Sequence, residues 1–180
     1  MKNKFYLFEG IDGSGKSTLA KKFAKLIKGI YYYTPPKAIL PLRHYADSSS
    51  PKIRYQFYQL GNYIANDEIS KILKSKDVVV DRYVYGTAAY HSALLNKGLQ
   101  IPNDLLLPDK IIYITASFEK IKQRLKERKS VNKYEKLEFL KKVIKRYDSI
   151  LADSNNVLKI DTTNMTIDET LGYLKNKLNI

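Results

Sequence analysis

Cysteine is absent from this chain of 180 residues, which excludes a disulfide scaffold and any metal site built on thiolates. The absence fits a reducing, intracellular setting, and we expect a cytoplasmic protein. No apolar run approaches the roughly 18–20 residues that a transmembrane helix needs, so no membrane anchor is expected. Residues 1–5 also lack the apolar stretch and the small-residue cleavage site of a signal peptide.

Acidic residues are few, since 18 Asp and Glu stand against 32 Lys and Arg and leave a formal net charge of +14. Such a balance favours anionic partners, which include nucleic acid, a membrane surface or a polyphosphate ligand. The basic residues are spread along predicted helices rather than gathered in one tail. We interpret most of them as solvated helix surface, so we expect no specific nucleic-acid or membrane partner, and any nucleic-acid binding should collapse as salt rises.

Strand-like and helix-like segments alternate along the chain, which predicts a single α/β domain over residues 1–180, with a parallel sheet flanked by helices on both faces. The five predicted strands are Lys4–Glu9, Ile30–Thr34, Val78–Val80, Lys110–Thr115 and Val157–Asp161. The predicted helices are Ser17–Lys28, a long helix within Pro51–Lys74 that starts near Ile53, Tyr85–Asn96 with Gly98 as its stop, Phe118–Lys129, Lys133–Asp153 and Thr166–Asn179. The segment Asp47–Pro51 is predicted to be a loop over the ligand cleft, which lies at the carboxyl ends of such strands.

The segment after the first predicted strand, Gly10–Ser17, matches the pattern G-x-x-x-x-G-K-[ST] without exception, and we call it the phosphate loop. Its glycines let the chain wrap tightly, so that backbone N–H groups and the N-terminus of the next helix can hold phosphate oxygens. Lys16 should reach the β- and γ-phosphates, and the Ser17 hydroxyl should ligate Mg²⁺ with help from Thr18. The pattern predicts a bound nucleoside triphosphate without fixing the reaction, because switch GTPases and motor ATPases share it.

Charged residues after later elements suit phosphoryl transfer. Asp81 ends the third predicted strand and can hold Mg²⁺ through water or orient the attacking phosphate, while Arg82 can reach both donor and acceptor phosphates. The alternative is a structural ion pair at a strand end. Arg124 and Arg128 lie four residues apart on one helix face and suit a basic lid over the triphosphate, with a solvated basic face as the alternative.

Taken together, these motifs resemble the thymidylate kinase family. Phe8–Thr18 looks like the opening of that family, and Val79–Tyr83 followed by Ala89 and Tyr90 is similar to its D-R-Y and A-Y-Q motifs. The resemblance implies a nucleoside monophosphate kinase that uses ATP and Mg²⁺, with dTMP as the favoured acceptor, and a homodimer packed through helices that flank the sheet. It also implies a short helical lid at about 124–137 that bears the arginines, since the phosphate loop itself carries none.

The resemblance assigns roles to single residues. The expected catalytic residues are Lys16, Asp81, Arg82 and Arg128. The expected ATP-binding residues are Gly10, Asp12, Gly13, Ser14, Gly15, Lys16, Ser17, Thr18 and Arg124. The expected acceptor-binding residues are Asp12, Arg54, Phe57, Arg82 and Tyr90. The expected ligands of Mg²⁺ are Ser17 and Asp81. Phe57 is expected to stack on the base, and Asp12 either contacts the sugar hydroxyl or stabilises its own loop.

Three departures from the family pattern concern the acceptor site. The family's T-R-E-P becomes Thr34-Pro35-Pro36, its third-helix arginine is missing near Gly61, and the glutamine of A-Y-Q is His91. We interpret His91 as a packed or surface residue rather than a catalytic one. Arg43 and Arg54 are the candidates to replace the lost charge, with ordinary exposed arginines as the alternative.

The loss of a base-reading arginine predicts a looser base choice, with dTMP and dUMP phosphorylated at rates closer together than in a strict thymidylate kinase. One alternative is a kinase for another nucleoside monophosphate or a deoxynucleoside, in which Gln56 and Gln59 read the base. An alternative from a different class is a nucleotide-dependent binding or switch protein. The chain has no Asn-Lys-x-Asp guanine-reading motif, which is evidence against a GTPase.

Overall fold

The computed structural model describes residues 2–127, 136–152 and 154–180. The elements in chain order are β1 (Phe5–Glu9), α1 (Lys16–Leu26), β2 (Ile30–Tyr33), a 3-10 helix (Lys37–Leu42), α2 (Arg43–Ser48), α3 (Pro51–Ile72), β3 (Val78–Asp81), α4 (Val84–Leu95), β4 (Lys110–Thr115), α5 (Phe118–Lys126), α6 (Leu137–Leu151), β5 (Val157–Asp161) and α7 (Ile167–Leu178). Within these ranges, no helix combines the length and the apolar character needed to cross a bilayer.

The five strands form one parallel sheet in the order β2-β3-β1-β4-β5, which confirms the predicted α/β fold. The β-branched run of β3, Val78–Val80, has no solvent exposure, as expected for a parallel strand that helices cover on both faces. The order places β1 between β3 and β4. Because all the strands run the same way, the phosphate loop after β1 lies beside Asp81 at the end of β3.

Two hydrophobic clusters cover the two faces of the sheet. Phe8 and Phe23 pack with α1 and α7 on one face, and Tyr113 and Tyr147 pack with α4, α5 and α6 on the other. Helix α4 is buried from its first residue to Ser92 because it lies between α3 and α6. The start of α4 therefore has little freedom to move relative to the phosphate loop.

Two of the helix boundaries that differ from the sequence prediction have a local cause. Helix α3 begins at Pro51 rather than near Ile53, since the Ser50 side chain caps it and a proline at the first helical position needs no hydrogen-bond donor. Helix α4 stops at Asn96, which adopts a left-handed conformation with φ of 48°, and not at Gly98. Asparagine tolerates that conformation better than most residues, so a glycine stop is unnecessary.

The prediction of a loop at 47–51 is right only for Ser49 and Ser50. Asp47 and Ser48 lie inside α2, and Pro51 is the first residue of α3. The Ser48 hydroxyl donates to the carbonyl of His44 at 2.8 Å, and the Asp47 carboxylate accepts hydrogen bonds from Arg54 and Tyr58 of α3. The hydrogen bonds from Arg54 and Tyr58 connect α2 to α3 and stabilise a short helix that the local composition does not favour.

Candidate active site

The phosphate loop turns sharply between β1 and α1. Gly10, Gly13 and Gly15 adopt φ values of 146°, 84° and 93°, which other residues rarely reach. A Cβ atom on Gly10 would lie 2.4 Å from the carbonyl oxygen of Ile114 on the neighbouring strand. The first glycine is therefore required by close packing against β4, in addition to its backbone conformation.

The N-terminus of α1 is open toward a ligand. Among the described residues, no side chain caps this end of α1, and its first turn contains no acidic residue. Lys16 is buried, Ser17 is half-buried and Thr18 is exposed. The Ser14 backbone N–H donates to the Ile11 carbonyl at 3.2 Å, and the Ser14 hydroxyl is buried without a hydrogen-bond partner among the described residues. Free N–H groups at a helix start attract phosphate oxygens.

Lys16 and Asp81 meet at the end of the sheet. The Lys16 Nζ atom lies 3.8 Å from the Asp81 Oδ1 atom, and both side chains are almost fully buried. The other carboxylate oxygen of Asp81 accepts a hydrogen bond from the Tyr31 hydroxyl at 3.0 Å. Burial lowers the pKa of Lys16, and the positive charge of Arg82 acts in the same direction. Lys16 is thus a poorly solvated cation that a bound phosphate would stabilise.

Arg82 joins Asp12 and Tyr90 in what we call the Asp12 cluster. The Arg82 guanidinium donates to Asp12 Oδ1 at 3.0 Å, and the Tyr90 hydroxyl donates to Asp12 Oδ2 at 2.8 Å. The guanidinium also lies over the Tyr90 ring, 4.5 Å from its centre. Arg82 pairs with Asp12 and Asp81 pairs with Lys16, which is evidence against the alternative that Asp81 and Arg82 form an ion pair with each other.

Glu9 is a site residue that the sequence analysis missed. Its carboxylate has no solvent exposure and accepts hydrogen bonds from the N–H groups of Tyr83 and Gly86 and from the Tyr147 hydroxyl. The signal was present in the sequence, because a glutamate at the end of a strongly apolar strand needs buried partners. Those partners come from residues 74 to 138 positions away in the chain, so sequence spacing could not identify them.

Arg124 lies against the phosphate loop, as expected for an ATP-binding residue. Its guanidinium donates to the carbonyl oxygen of Ser14 at 2.8 Å and to that of Thr162 at 3.4 Å. Together with Gly15 and Thr166 it lines a cavity of about 390 Å³ beside the loop. The ends of the predicted lid belong to α5 and α6, and Arg128 lies outside the described residues.

On the acceptor side, Arg54 is buried at 7% exposure, whereas Arg43 is exposed. Arg54 donates to Asp47 at 2.9 Å and to the Nε2 atom of His91 at 3.0 Å, and it stacks on the ring of Tyr58. We call Asp47, Arg54, Tyr58 and His91 the Arg54 network. The alternative of an exposed arginine is therefore wrong for Arg54.

The Arg54 network fixes the protonation of His91. An arginine can only donate, so Nε2 accepts, and Nδ1 carries the proton that it donates to the Thr87 carbonyl at 2.8 Å. Burial and the charge of Arg54 lower the pKa of His91 to about 4. His91 is 1% exposed, which confirms its interpretation as a packed residue.

Phe57 belongs to a small cluster beside this network. It is 8% exposed and packs with Ile39 and Ala46, and its ring meets the Tyr58 ring edge-on, with centres 5.1 Å apart. Its contacts in the structure are thus with protein side chains of α2, α3 and the 3-10 helix. Stacking of a base on Phe57 stays a prediction.

Gly61 packs against the double-proline turn. A Cβ atom there would lie 3.1 Å from the Ile39 side chain and 3.5 Å from both Pro35 and Pro36. The next residue, Asn62, is buried and donates to Gln59 at 3.1 Å. A side chain at position 61 would therefore crowd Ile39 by a few tenths of an ångström and would start in ordinary contact with both prolines.

Comparison with known families identifies the family to which the chain belongs. The family model described as thymidylate kinase matches residues 8–171. The chain belongs to the thymidylate kinase family. Members of this family are nucleoside monophosphate kinases, which are phosphotransferases that use ATP as the phosphate donor. The nucleotide binding and the kinase activity that the sequence motifs predicted are thereby confirmed, and the roles of single site residues stay predictions.

Individual relatives support the membership in the thymidylate kinase family. The chain is 34% identical over 187 residues to a probable thymidylate kinase of Methanocaldococcus jannaschii, and the alignment covers 97% of each chain. It is 37% identical over 141 residues to human mitochondrial UMP-CMP kinase 2, which covers 71% of this chain and 31% of that longer protein. The fold matches the thymidylate kinase of Candida albicans with a TM-score of 0.78 at 20% identity, over 99% of this chain and 92% of that one.

Proposed function

We propose that this thymidylate kinase family member transfers the γ-phosphate of ATP to dTMP. The observation that carries the proposal is the position of the Asp12 cluster beside the phosphate loop. The Arg82 side chain is 19% exposed, and Asp12 and Tyr90 hold its guanidinium in place. This arrangement suits a reaction that requires positioning and positive charge more than covalent chemistry.

The transfer requires one displacement at phosphorus. An ionised oxygen of the acceptor phosphate forms a bond to the γ-phosphorus, and the bond to the bridging oxygen breaks with its electron pair leaving on ADP. Lys16 is placed to neutralise charge on the β- and γ-phosphate oxygens, and Arg82 to stabilise the moving group. The Asp81 carboxylate holds Lys16 in place through their contact at 3.8 Å.

We propose Ser17 and Asp81 as the residues that hold Mg²⁺. Both offer oxygen atoms, the ligands that this ion prefers, and they lie at the loop end of α1 and at the end of β3. A bound Mg²⁺ supplies charge neutralisation on the phosphate oxygens. Activity should disappear with a chelator and return with Mg²⁺, whereas Ser17→Ala should require a higher Mg²⁺ concentration than the wild type.

The proposed acceptor is a pyrimidine nucleoside monophosphate. We expect the rates with dTMP and dUMP to lie closer together than in a strict thymidylate kinase. Gly61 offers no side chain to the base, and the amide of Asn62 is engaged with Gln59. A second candidate is phosphorylation of UMP or CMP, which the 37% identity to human UMP-CMP kinase 2 favours.

A coupled ADP-release assay over dTMP, dUMP, dCMP, UMP, CMP, dGMP and thymidine tests both candidates. We expect dTMP to show the highest kcat/KM and dUMP to follow within about 10–100-fold, the size of a discrimination by one small group. A higher value for UMP or CMP would favour the second candidate. A strong preference for dGMP, or activity on thymidine alone, would refute both.

Arg82→Ala tests the catalytic assignment. We expect kcat to fall by about 10³-fold or more, the size found for arginines that stabilise transferring phosphate. Arg43→Ala is the matched control, because Arg43 is an exposed arginine that pairs with Asp47 at 3.4 Å. Retained activity with a large loss of stability in Arg82→Ala would make Arg82 a structural residue.

We also propose the assembly and the lid that the resemblance implies. Exposed apolar side chains on α3, Leu60 and Tyr63, suit a homodimer face, and Leu60→Asp should then lower the mass measured by light scattering.

Residues 124–137 are proposed as the lid. In that case Arg128→Ala should lower kcat without changing the KM for the acceptor. The cytoplasmic location also stays a prediction.

A further inference from the structure

We propose that Glu9 is the positioning residue for Arg82: it holds the peptide group that follows Arg82 and so fixes the direction of the guanidinium. The inference rests on the proposed function, in which Arg82 stabilises the moving phosphate. Glu9 itself has no solvent exposure and would not touch substrate. Its effect on the reaction would pass through Arg82.

The backbone of Arg82 adopts a conformation that needs support. Its φ of 71° lies in the left-handed region, which is uncommon for a residue with a side chain. Such conformations persist only where the surrounding structure holds them, and they cluster at functional sites. Since the conformation at this residue sets where the side chain points, whatever holds the backbone also aims the guanidinium.

Hydrogen bonds fix the peptide groups on both sides of Arg82. The Arg82 N–H donates to the Phe8 carbonyl at 3.0 Å, and the Arg82 carbonyl accepts from the Thr34 hydroxyl at 2.9 Å. The N–H of the next residue, Tyr83, donates to Glu9 Oε1 at 2.9 Å. Glu9 is the buried side chain in this set, and it lies one residue before the phosphate loop. It therefore ties Arg82 to the element that would hold ATP.

The same carboxylate oxygen also anchors the first turn of α4, because the Gly86 N–H donates to it at 2.9 Å. The packing leaves no spare room. A Cβ atom on Gly86 would lie 2.7 Å from the Arg82 side chain, 2.9 Å from Glu9 and 3.0 Å from the Tyr147 hydroxyl. Glu9, Arg82 and Tyr147 thus surround a glycine, and a shift of the carboxylate would move the arginine.

The contacts of Glu9 allow the effect of its side-chain length to be distinguished from the effect of its charge. Glu9 Oε1 accepts the two backbone N–H groups, and Oε2 accepts the Tyr147 hydroxyl at 2.7 Å. A glutamine at this position can make all these bonds, since its carbonyl accepts both N–H groups and its amide donates to the tyrosine oxygen. An aspartate keeps the charge but is one methylene shorter. If Glu9 acts by positioning Arg82, kcat should depend on the length of the side chain at position 9 and not on its charge.

The test compares Glu9→Gln with Glu9→Asp in a coupled ADP-release assay. We expect Glu9→Asp to lower kcat by about 100-fold, the typical cost of misplacing a catalytic group by about 1 Å, with little change in KM for ATP. Glu9→Gln should lower kcat by less than about tenfold, because the hydrogen bonds survive. The reverse order, or equal losses in the two variants, would overturn the proposal. Glu9→Gln preserves the buried contacts, so its result stands even if Glu9→Asp does not fold.

A double-mutant cycle with Arg82→Ala supplies a readout that a merely structural role would not move. Glu9→Asp should have almost no further effect on kcat once Arg82 is alanine, because the residue that it positions is gone. Additive losses of kcat would overturn the positioning role while leaving the proposed function intact. A normal kcat in Arg82→Ala alone would instead overturn the proposed catalytic assignment, and with it the inference.

Discussion

Acid should destabilise this protein through His91. The imidazole is 1% exposed and is surrounded by Arg54 from α3, by the Thr87 carbonyl from α4 and by the rings of Tyr55 and Tyr58. A proton on Nε2 would face the Arg54 guanidinium at 3.0 Å, so the folded protein keeps His91 neutral. His91→Gln removes the titrating group, and a glutamine can still accept from Arg54 and donate to Thr87.

The magnitude follows from the difference between the folded and unfolded pKa of His91. The unfolded value is 6.5 and the folded value is about 4. Between these pH values only the unfolded chain binds the proton, so the free energy of unfolding falls as pH falls. The fall approaches about 1.4 kcal/mol per pH unit and totals about 3 kcal/mol by pH 4. Well above pH 6.5 His91 is neutral in both states and contributes no pH dependence.

Urea unfolding at pH 7.5, 6.5, 5.5 and 4.5, followed by circular dichroism, measures this loss. We compare wild type with His91→Gln, because groups other than His91 also contribute to the pH dependence of stability. Burial raises the pKa of Glu9, for example, which makes its contribution to stability increase on acidification, and this contribution is common to both proteins. The difference between the two proteins should grow by about 2.5 kcal/mol from pH 7.5 to 4.5. If the free energies of unfolding of the two proteins changed in parallel with pH, the folded protein would not keep His91 neutral, and the prediction would be refuted.

Further predictions concern the donor site and the acceptor site. Lys16→Ala should lower kcat by about 10²–10³-fold, as expected for a lost charge-stabilising group, and an unchanged kcat would contradict the phosphate-loop assignment. Arg124→Ala should raise the KM for ATP by about tenfold or more without changing the KM for the acceptor, since hydrogen bonds from a charged donor to the loop are lost. Gly61→Arg should lower the free energy of unfolding by about 1–3 kcal/mol, measured with urea, because the new side chain is crowded by Ile39, Pro35 and Pro36. It should not increase the ratio of kcat/KM for dTMP to that for dUMP.

The sequence alone was sufficient for the parts of the site that depend on local chemistry. Gly10, Gly13 and Gly15 stand where the backbone needs positive φ, and Lys16 opens the helix that follows. Strand positions followed from short apolar runs, and a parallel sheet brings the carboxyl ends of all its strands to one edge. Asp81 could therefore be placed at the ligand cleft, whereas its position beside the phosphate loop depends on the strand order that the structure shows.

Contacts between distant segments could not be predicted in this way. Asp47 was expected in a loop, but its hydrogen bonds with α3 decide its conformation. Arg54 could be either an exposed arginine or a buried one on sequence grounds, because its burial depends on His91, which lies 37 residues further along. Glu9 escaped notice for the same reason. Each of these side chains is a buried polar group, and its partners are set by the tertiary fold rather than by sequence spacing.

Two of the three departures from the family pattern are in contact, because a Cβ atom at position 61 would lie 3.1 Å from Ile39 and in ordinary contact with Pro35 and Pro36. The third, His91, accepts a hydrogen bond from the buried Arg54, which belongs to the same helix α3 as Gly61. Restoring one family residue alone should therefore disturb its neighbours. We expect base choice to depend on the shape of the wall formed by α3, the double-proline turn and α4, so a change of specificity should require coordinated substitutions across it.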